Sequence, residues 1–437
     1  MSQLVVTPEL RAVILGLRRQ QVMDVVRGAV FIGVLLLAWI SLRPFVDLGN
    51  QQLKDTSTGN ETLTYLVFAG LAVLTVALAA ADNMRGLRTL LAPAYVLFGG
   101  WIVATVVLSL DPATSIKRFA LTACVMAVAA TLMLLPKSQH ELMRWFSIAA
   151  LLLLAVCYLG ILLAPTLSIH VATDIQEPQL AGNWRGAFGH KNVAASVMAM
   201  LVFLGIYIVR SGAMISGAAV IALASLFLLY SAGKSSLALT LVVLVLTSLT
   251  TMVRSFWLRA VMMLTPLVLL ILLSIGTVMS DGLAEIAKAL PLDSSFTGRT
   301  EIWTFALQAL QLRLPTGYGF EAFWGTDALR NIPEGMEWAE YASHSHNGYL
   351  DTALSMGLPG LALLIVVLVI APLRNFHAAD HGGNDGPLTM ALLRIWLFGL
   401  YLSSLESFFL DRADPTWFTF LLAVFGLHYL ARFRVRE

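Results

Sequence analysis

The sequence predicts an all-α integral membrane protein of about twelve transmembrane helices with one large, partly helical loop on one side. Three observations carry that expectation. Apolar residues fill 58% of the 437 positions and charged ones only 12%, too little polar surface for a chain that must cover itself in water. Twelve apolar runs approach the roughly 20 helical residues needed to cross about 30 Å of hydrocarbon. Finally, Asp281 to Asn347 is the only long polar stretch.

The runs fall at 28–42, 62–81, 91–110, 119–136, 146–165, 193–209, 212–232, 235–253, 256–280, 349–372, 389–409 and 415–431. Gly212 and the sequence Gly233-Lys234-Ser235-Ser236 are weak punctuation, so the division after Arg210 is the least sharp. Arg11, Arg18, Arg19 and Arg27 precede the first run, which lies too far in for a cleaved leader and has no small-x-small site; it is expected to stay as an anchor. An even count returns Arg432, Arg434 and Arg436 to the side of the N-terminus. Placing both termini inside gives the short inner segments the larger share of Lys and Arg. The chain then reads as one polytopic domain, 1–437, with two outward loops: 166–192, and the larger 281–348 between the ninth and tenth helices. The stretch from His377 to Asn384 reads as a flexible inner turn with solvated histidines.

The net charge of +2 is spread over short loops without a basic block, which excludes nucleic acid as a partner. Cys124 and Cys157 lie inside apolar runs and behave as small hydrophobes. Arg394 and Glu406 are the ionised residues within the runs, each near a predicted membrane face where headgroups or loop partners are in reach. An ion-coupled transporter needs charge nearer the midplane.

Three constellations are candidates for chemistry. Gly182 to Asn192 combines three glycines with Arg185, His190 and Lys191 at the entry of a helix that Asn192 is suited to cap, and a helix N-terminus favours anions. The same residues equally suit lipid headgroups. Gly298 to Trp303 opens an amphipathic helix, with apolar residues at Ile302, Phe305, Ala306, Ala309 and Leu310, and puts Arg299 at its positive end. His344 and His346, followed by Asn347, stand at the edge of the tenth run. A neutral imidazole accepts a proton from a hydroxyl near physiological pH, whereas His-x-His also recurs in metal sites, with His190 as a third ligand. Capping histidines are the structural alternative. Gly317-Tyr318-Gly319-Phe320 reads as a tight turn, with sugar stacking as its functional alternative.

The ordered set Arg185-Gly-x-Phe-x-His-Lys-Asn192, Gly298-Arg-x-x-x-Trp303, Gly317-x-Gly319, His346-Asn-x-x-Leu350 and Gly357-x-x-Gly360 resembles the O-antigen ligase and polymerase superfamily of bacterial inner-membrane glycosyltransferases. The resemblance implies a GT-C-like fold, a periplasmic active site and no cofactor or essential metal. It implies transfer, en bloc, of a glycan from undecaprenyl pyrophosphate to an acceptor hydroxyl, and a single base predicts that the transfer is inverting. His346 is then the base, and Arg185 and Arg299 hold the pyrophosphate through paired, permanently charged contacts. Lys191, His190, His344 and Asn347 are secondary candidates for substrate contact, as is Lys234. His344 leaves the choice of base open by two residues. The acceptor is a second lipid-linked glycan in a polymerase and lipid A-core in a ligase. The first motif and Ser231 to Ser236 resemble exopolysaccharide polymerases slightly more, which adds a chain-length regulator to the expected partners, beside the membrane lipids. A transporter of lipid-linked glycan is the alternative of another class, although neither duplicated halves nor broken midspan helices are evident.

Overall fold

The computed structural model describes residues 8–49, 57–175, 177–289, 299–326, 329, 342–383 and 386–434. In chain order the helices are α1 (Pro8–Ile40), α2 (Ser57–Thr89), α3 (Pro93–Val107), α4 (Pro112–Leu132), α5 (Gln139–Leu163), the single turn α6 (Pro165–Ser168), α7 (Lys191–Arg210), α8 (Met214–Tyr230), α9 (Lys234–Thr250) and α10 (Phe256–Leu273). They continue with the turn α11 (Gly276–Met279), α12 (Asp281–Ala289), α13 (Arg299–Gln311), α14 (Gly348–Ile365), α15 (Ala371–His381), α16 (Gly386–Leu402) and α17 (Pro415–Leu430). Each of the twelve apolar runs has its helix. Seven are long and apolar enough to cross a membrane; the five shorter apolar ones are α3, α8, α9, α16 and α17. The chain is a multi-pass, all-helical membrane protein.

Starts are written locally. Asp111, Ser138 and Asp414 each accept a backbone N–H of the first turn of α4, α5 and α17, and proline stands first in α4 and α17, where its missing N–H costs nothing. Burial then sorts the helices. The sides of α7, α16 and α17 are almost wholly enclosed, and they form the centre of the bundle. By contrast, α2 and α10 keep most of their apolar surface outside, with Leu66, Val73, Trp257 and Val268 exposed, as helices facing lipid chains do. At the α7–α8 hairpin Gly205 and Gly217 let the two backbones touch: a Cβ on Gly217 would sit 2.6 Å from the Val209 nitrogen.

Four boundaries differ from the sequence reading. The ninth run, 256–280, is not one helix: Pro266 lies inside α10 and Ser274 leaves helical geometry, so the chain turns through α11 into the amphipathic α12. The tenth run extends well past 372, since α14, a π-helical turn at Val366–Ile370 and α15 are continuous to His381. His377 and His381 are therefore helical rather than in a loose turn. The eleventh run, 389–409, ends as helix at Leu402, because its apolar residues continue but its backbone turns away at Ser403 and Ser404. Asn192 does not cap α7; His190 does, its Nδ1 accepting the Asn192 N–H at 3.1 Å.

The described part of the large polar segment packs as a second small core. Trp303, Phe305, Ala306, Ala309 and Leu310 of α13 bury against Tyr318, Phe323, Trp324, Leu350, Ala353 and Leu354. The amphipathic helix thus lies on α14 and the loop. A kink at Gly357 (φ +68°) opens α14 to the turn at Gly317 (φ +66°). There Tyr318 and Gly319 donate to the carbonyls of Leu354 and Ser355 at 2.7 and 3.1 Å, and Leu358 donates to Leu314 at 2.8 Å. A side chain on Gly317 would strike the Leu354 carbonyl. Tyr318 is buried with its hydroxyl on the Ala309 carbonyl, so this motif is a structural joint.

Candidate active site

The site forms where α16 stops. The carbonyls of the turn that follows it need donors of their own, and two segments, the Asn347–Gly348 turn and α13, supply them. Gly348 N–H reaches the Ser403 carbonyl at 2.8 Å, Asn347 Nδ2 reaches that of Ser404 at 2.9 Å, and Arg299 Nη1 reaches that of Leu405 at 2.5 Å. A guanidinium at the negative end of a helix dipole is favourably placed. Arg299 is the first residue of α13, but its charge serves the C-terminus of α16. Gly298, before it in the motif, lies outside the described residues.

Glu406, four residues beyond α16, gathers the rest. Its Oε1 accepts Arg299 Nη2 at 2.9 Å and Asn192 Nδ2 at 3.0 Å, while Oε2 lies 3.2 Å from His346 Nδ1. Burial pushes this carboxyl up, but the His346 hydrogen bond and the Arg299 charge outweigh it and hold it at about 2, so it is ionised at neutral pH. The cluster stays open to a ligand: the side chains of His346, Arg299 and Glu406 are 30%, 17% and 18% exposed. Four distant segments meet in one ion-pair network.

The two histidines are held in opposite senses. A carboxylate only accepts, so the proton between His346 and Glu406 sits on His346 Nδ1, leaving Nε2 with a free lone pair. His344 Nδ1 instead accepts the His346 backbone N–H at 3.2 Å, which puts its own proton on Nε2. Burial, followed by the neighbouring His346, pushes the His344 imidazolium down, favouring the neutral form. The rings stand edge to face with centroids 4.1 Å apart. His346 adopts φ +55°, a left-handed geometry that non-glycine residues hold only where the surroundings impose it. Those surroundings are Asn347, whose Oδ1 caps α14 at Tyr349 and Leu350 (3.1 Å each), and Asp351, which accepts the Ser345 N–H and the Trp324 indole N–H. Asn347 is fully buried, so it positions the histidine and does not face a ligand.

The smaller loop is used differently. Arg185 is 0% exposed; its Nη2 donates to the Val46 carbonyl at 2.7 Å and its Nη1 to that of Phe188 at 3.3 Å. Its guanidinium is committed to the fold, against the expectation that it faces a pyrophosphate. His190 pairs with Glu177 at 2.8 Å and meets the ring of His170, which itself holds Asp174 at 2.7 Å. Among the described residues no three His, Cys, Asp or Glu side chains are placed to hold a metal ion together, so His190 does not join the His344/His346 pair as a third ligand. Lys191 donates to the Ala232 carbonyl at 3.1 Å and lies within electrostatic range of Lys234 and Glu406. From this loop, Asn192 bonds the cluster directly and Lys191 with Lys234 adds positive charge near it.

Residues 217–365 match a family model described as O-Antigen ligase. A stretch of 101 residues, 22% of this chain, is 31% identical to the "Exopolysaccharide production protein ExoQ" of Rhizobium meliloti (strain 1021) and covers 23% of that protein's length. Together these matches support the O-antigen ligase and polymerase superfamily. The matched region runs from α8 into α14 and contains Arg299, His344, His346 and Asn347. Asn192 and Glu406 lie outside it and enter the site through folding alone. In the sequence Glu406 stands out only as a charge near a membrane face, because nothing there marks the early end of α16 at Leu402.

Proposed function

We propose that the chain is a glycosyltransferase that moves a glycan en bloc from undecaprenyl pyrophosphate to an acceptor hydroxyl. The observation that carries this reading is the single carboxylate, Glu406, joined to both Arg299 and His346. The acceptor hydroxyl gives its proton to His346 Nε2 as its oxygen bonds to the anomeric carbon, and the bond from that carbon to the phosphate oxygen breaks with its electron pair. Glu406 fixes the imidazole tautomer and stabilises the imidazolium, as carboxylates behind catalytic histidines do. Arg299, with Lys191 and Lys234 nearby, meets the charge that grows on the departing diphosphate, which lowers the barrier more than it strengthens ground-state binding. One displacement with one base inverts the anomeric configuration.

Twelve spans with both termini in the cytoplasm put α13, the His344/His346 turn and Glu406 on the periplasmic side of a bacterial inner membrane, where a flipped lipid-linked glycan is met. Repeat-unit polymerisation is favoured over ligation to lipid A-core by the match to an exopolysaccharide production protein. In producing cells, His346→Ala at normal expression is expected to stop chain extension while lipid-linked donor accumulates on the outer leaflet. Donor trapped inside contradicts a transferase and indicates a transporter. Product on lipid A-core instead of longer undecaprenyl-linked chains makes the enzyme a ligase.

A further inference from the structure

On the far side of His344 lies a cavity that the reaction above does not use. Arg118 of α4, Glu321 and Trp324 of the turn after Gly319, His344, and Asp411 and Arg412 ahead of α17 line it, and its volume is about 130 Å³. Arg118 donates to the Glu321 carbonyl and lies 3.5 Å from that of Trp324; Arg412 Nε is 3.5 Å from Glu321 Oε2.

We propose that this cavity is the acceptor subsite, and that it holds the terminal sugar ring of the acceptor glycan with Arg118, Glu321 and Arg412 bonding its hydroxyls beside the Trp324 indole. The inference rests on the glycosyl-transfer reading and adds where the second substrate sits.

Position is the first argument. In an in-line displacement the attacking hydroxyl and the leaving diphosphate stand on opposite sides of the anomeric carbon. His344 forms a wall of the cavity and its ring centroid lies 4.1 Å from that of His346, so an acceptor hydroxyl at the His344 edge meets the base, while Arg299 is reached only through Glu406. His344, with its proton on Nε2, offers a donor to a bound hydroxyl and leaves His346 as the base.

Charge is the second. Burial, then the neighbouring Asp411, pushes the Glu321 carboxyl up to about 8, against the pull of Arg412 and Arg118. It is mainly protonated at neutral pH, and the two guanidiniums are balanced by Asp411 and Asp351. A cavity rich in donors and acceptors but near neutral suits a polyol better than a diphosphate, and an aromatic side wall suits the apolar face of a sugar ring. Backbone strain is the third: Glu321 (φ +49°) and Leu410 (φ +63°) both line the cavity, and His346 (φ +55°) stands two residues after His344 of its wall. Left-handed non-glycine residues cluster where function imposes them.

The test uses the purified full chain in lipid nanodiscs, lipid-linked repeat units extracted from producing cells as substrate, and farnesyl diphosphate as a probe of the donor side. Arg412→Gln is expected to lower glycan transfer at least tenfold while farnesyl diphosphate binding stays within twofold. Ser343→Trp, at an exposed position on the rim, adds bulk without removing a charged side chain and should do the same, which covers the case in which Arg412→Gln does not fold. Loss of farnesyl diphosphate binding in step with transfer would assign the cavity to the diphosphate and overturn the proposal. Unchanged transfer in Ser343→Trp would also overturn it. The underlying reading fails separately, when His346→Ala still transfers glycan.

Discussion

Arg185 and Arg299 occupy similar places in the sequence, each in a polar connection near a helix entry, yet the fold uses them in opposite ways. Arg185 spends its two terminal nitrogens on the carbonyls of Val46 and Phe188, keeps a buried Nε without a partner and is sealed from solvent. Arg299 spends one donor on a helix-end carbonyl and pairs with a carboxylate at a partly open surface. A guanidinium serves chemistry when its partners leave it facing a ligand, and it serves the fold when main-chain carbonyls surround it.

The difference is breakable by substitution. Arg299→Ala is expected to cut transfer about 10²–10³-fold, the scale of losing one well-placed electrostatic contact to a transition state, with a smaller fall in melting temperature than Arg185→Ala, in an assay of purified enzyme on lipid-linked donor. Arg185→Ala should reverse the pattern: each stranded buried carbonyl costs about 1–3 kcal/mol, so folded yield and melting temperature fall, while activity per folded molecule is nearly kept. Activity loss in Arg185→Ala at unchanged stability would reverse the roles assigned to the two residues.

Glu406→Gln sharpens the comparison next. The amide still reaches Asn192 or Arg299 but no longer fixes the His346 tautomer by charge, and second partners of this kind are worth about 10–100-fold in activity. A loss of that size, smaller than for Arg299→Ala and without loss of folded protein, is the expected kinetic result.

The smallest effect concerns pH. Glu321 keeps its proton to about 8 in the folded chain, against an ordinary 4.5. As pH rises between those values the unfolded chain releases this proton and the folded chain does not, so stability is greatest below the lower value and declines toward the upper one. Glu321→Gln should flatten that decline in a melting series from pH 5 to 8. An unchanged slope would show that Glu321 is ionised throughout.

The architecture was legible because crossing hydrocarbon demands apolar length, and apolar length is written directly in the residues; every one of the twelve runs contains a helix, although the ninth breaks at Ser274 and the eleventh ends early. The His344/His346 turn and the Arg299 helix were legible for a similar reason, since both pair a polar motif with a helix entry. Hydropathy did not register the end of α16 at Leu402, because Leu405, Phe408, Phe409 and Leu410 continue the apolar composition through a turn that tertiary hydrogen bonds hold. Glu406 therefore looked like a charge in a span. The role of Arg185 was equally hidden, for its main partner, Val46, is 139 positions away. Asn192 and His190 exchanged expected roles because a histidine whose Nδ1 caps the helix frees the asparagine to reach across to Glu406.

His346, held by Glu406 beside Arg299, is the proton acceptor on which the proposed transfer depends. Its most direct test is a single-turnover transfer assay with purified wild-type and His346→Ala chains, run with farnesyl diphosphate binding measured on the same preparations. The prediction is that the variant binds the diphosphate probe normally and forms new glycosidic bonds at least 10²-fold more slowly, within the range for removing a general base; bond formation at the wild-type rate would contradict it.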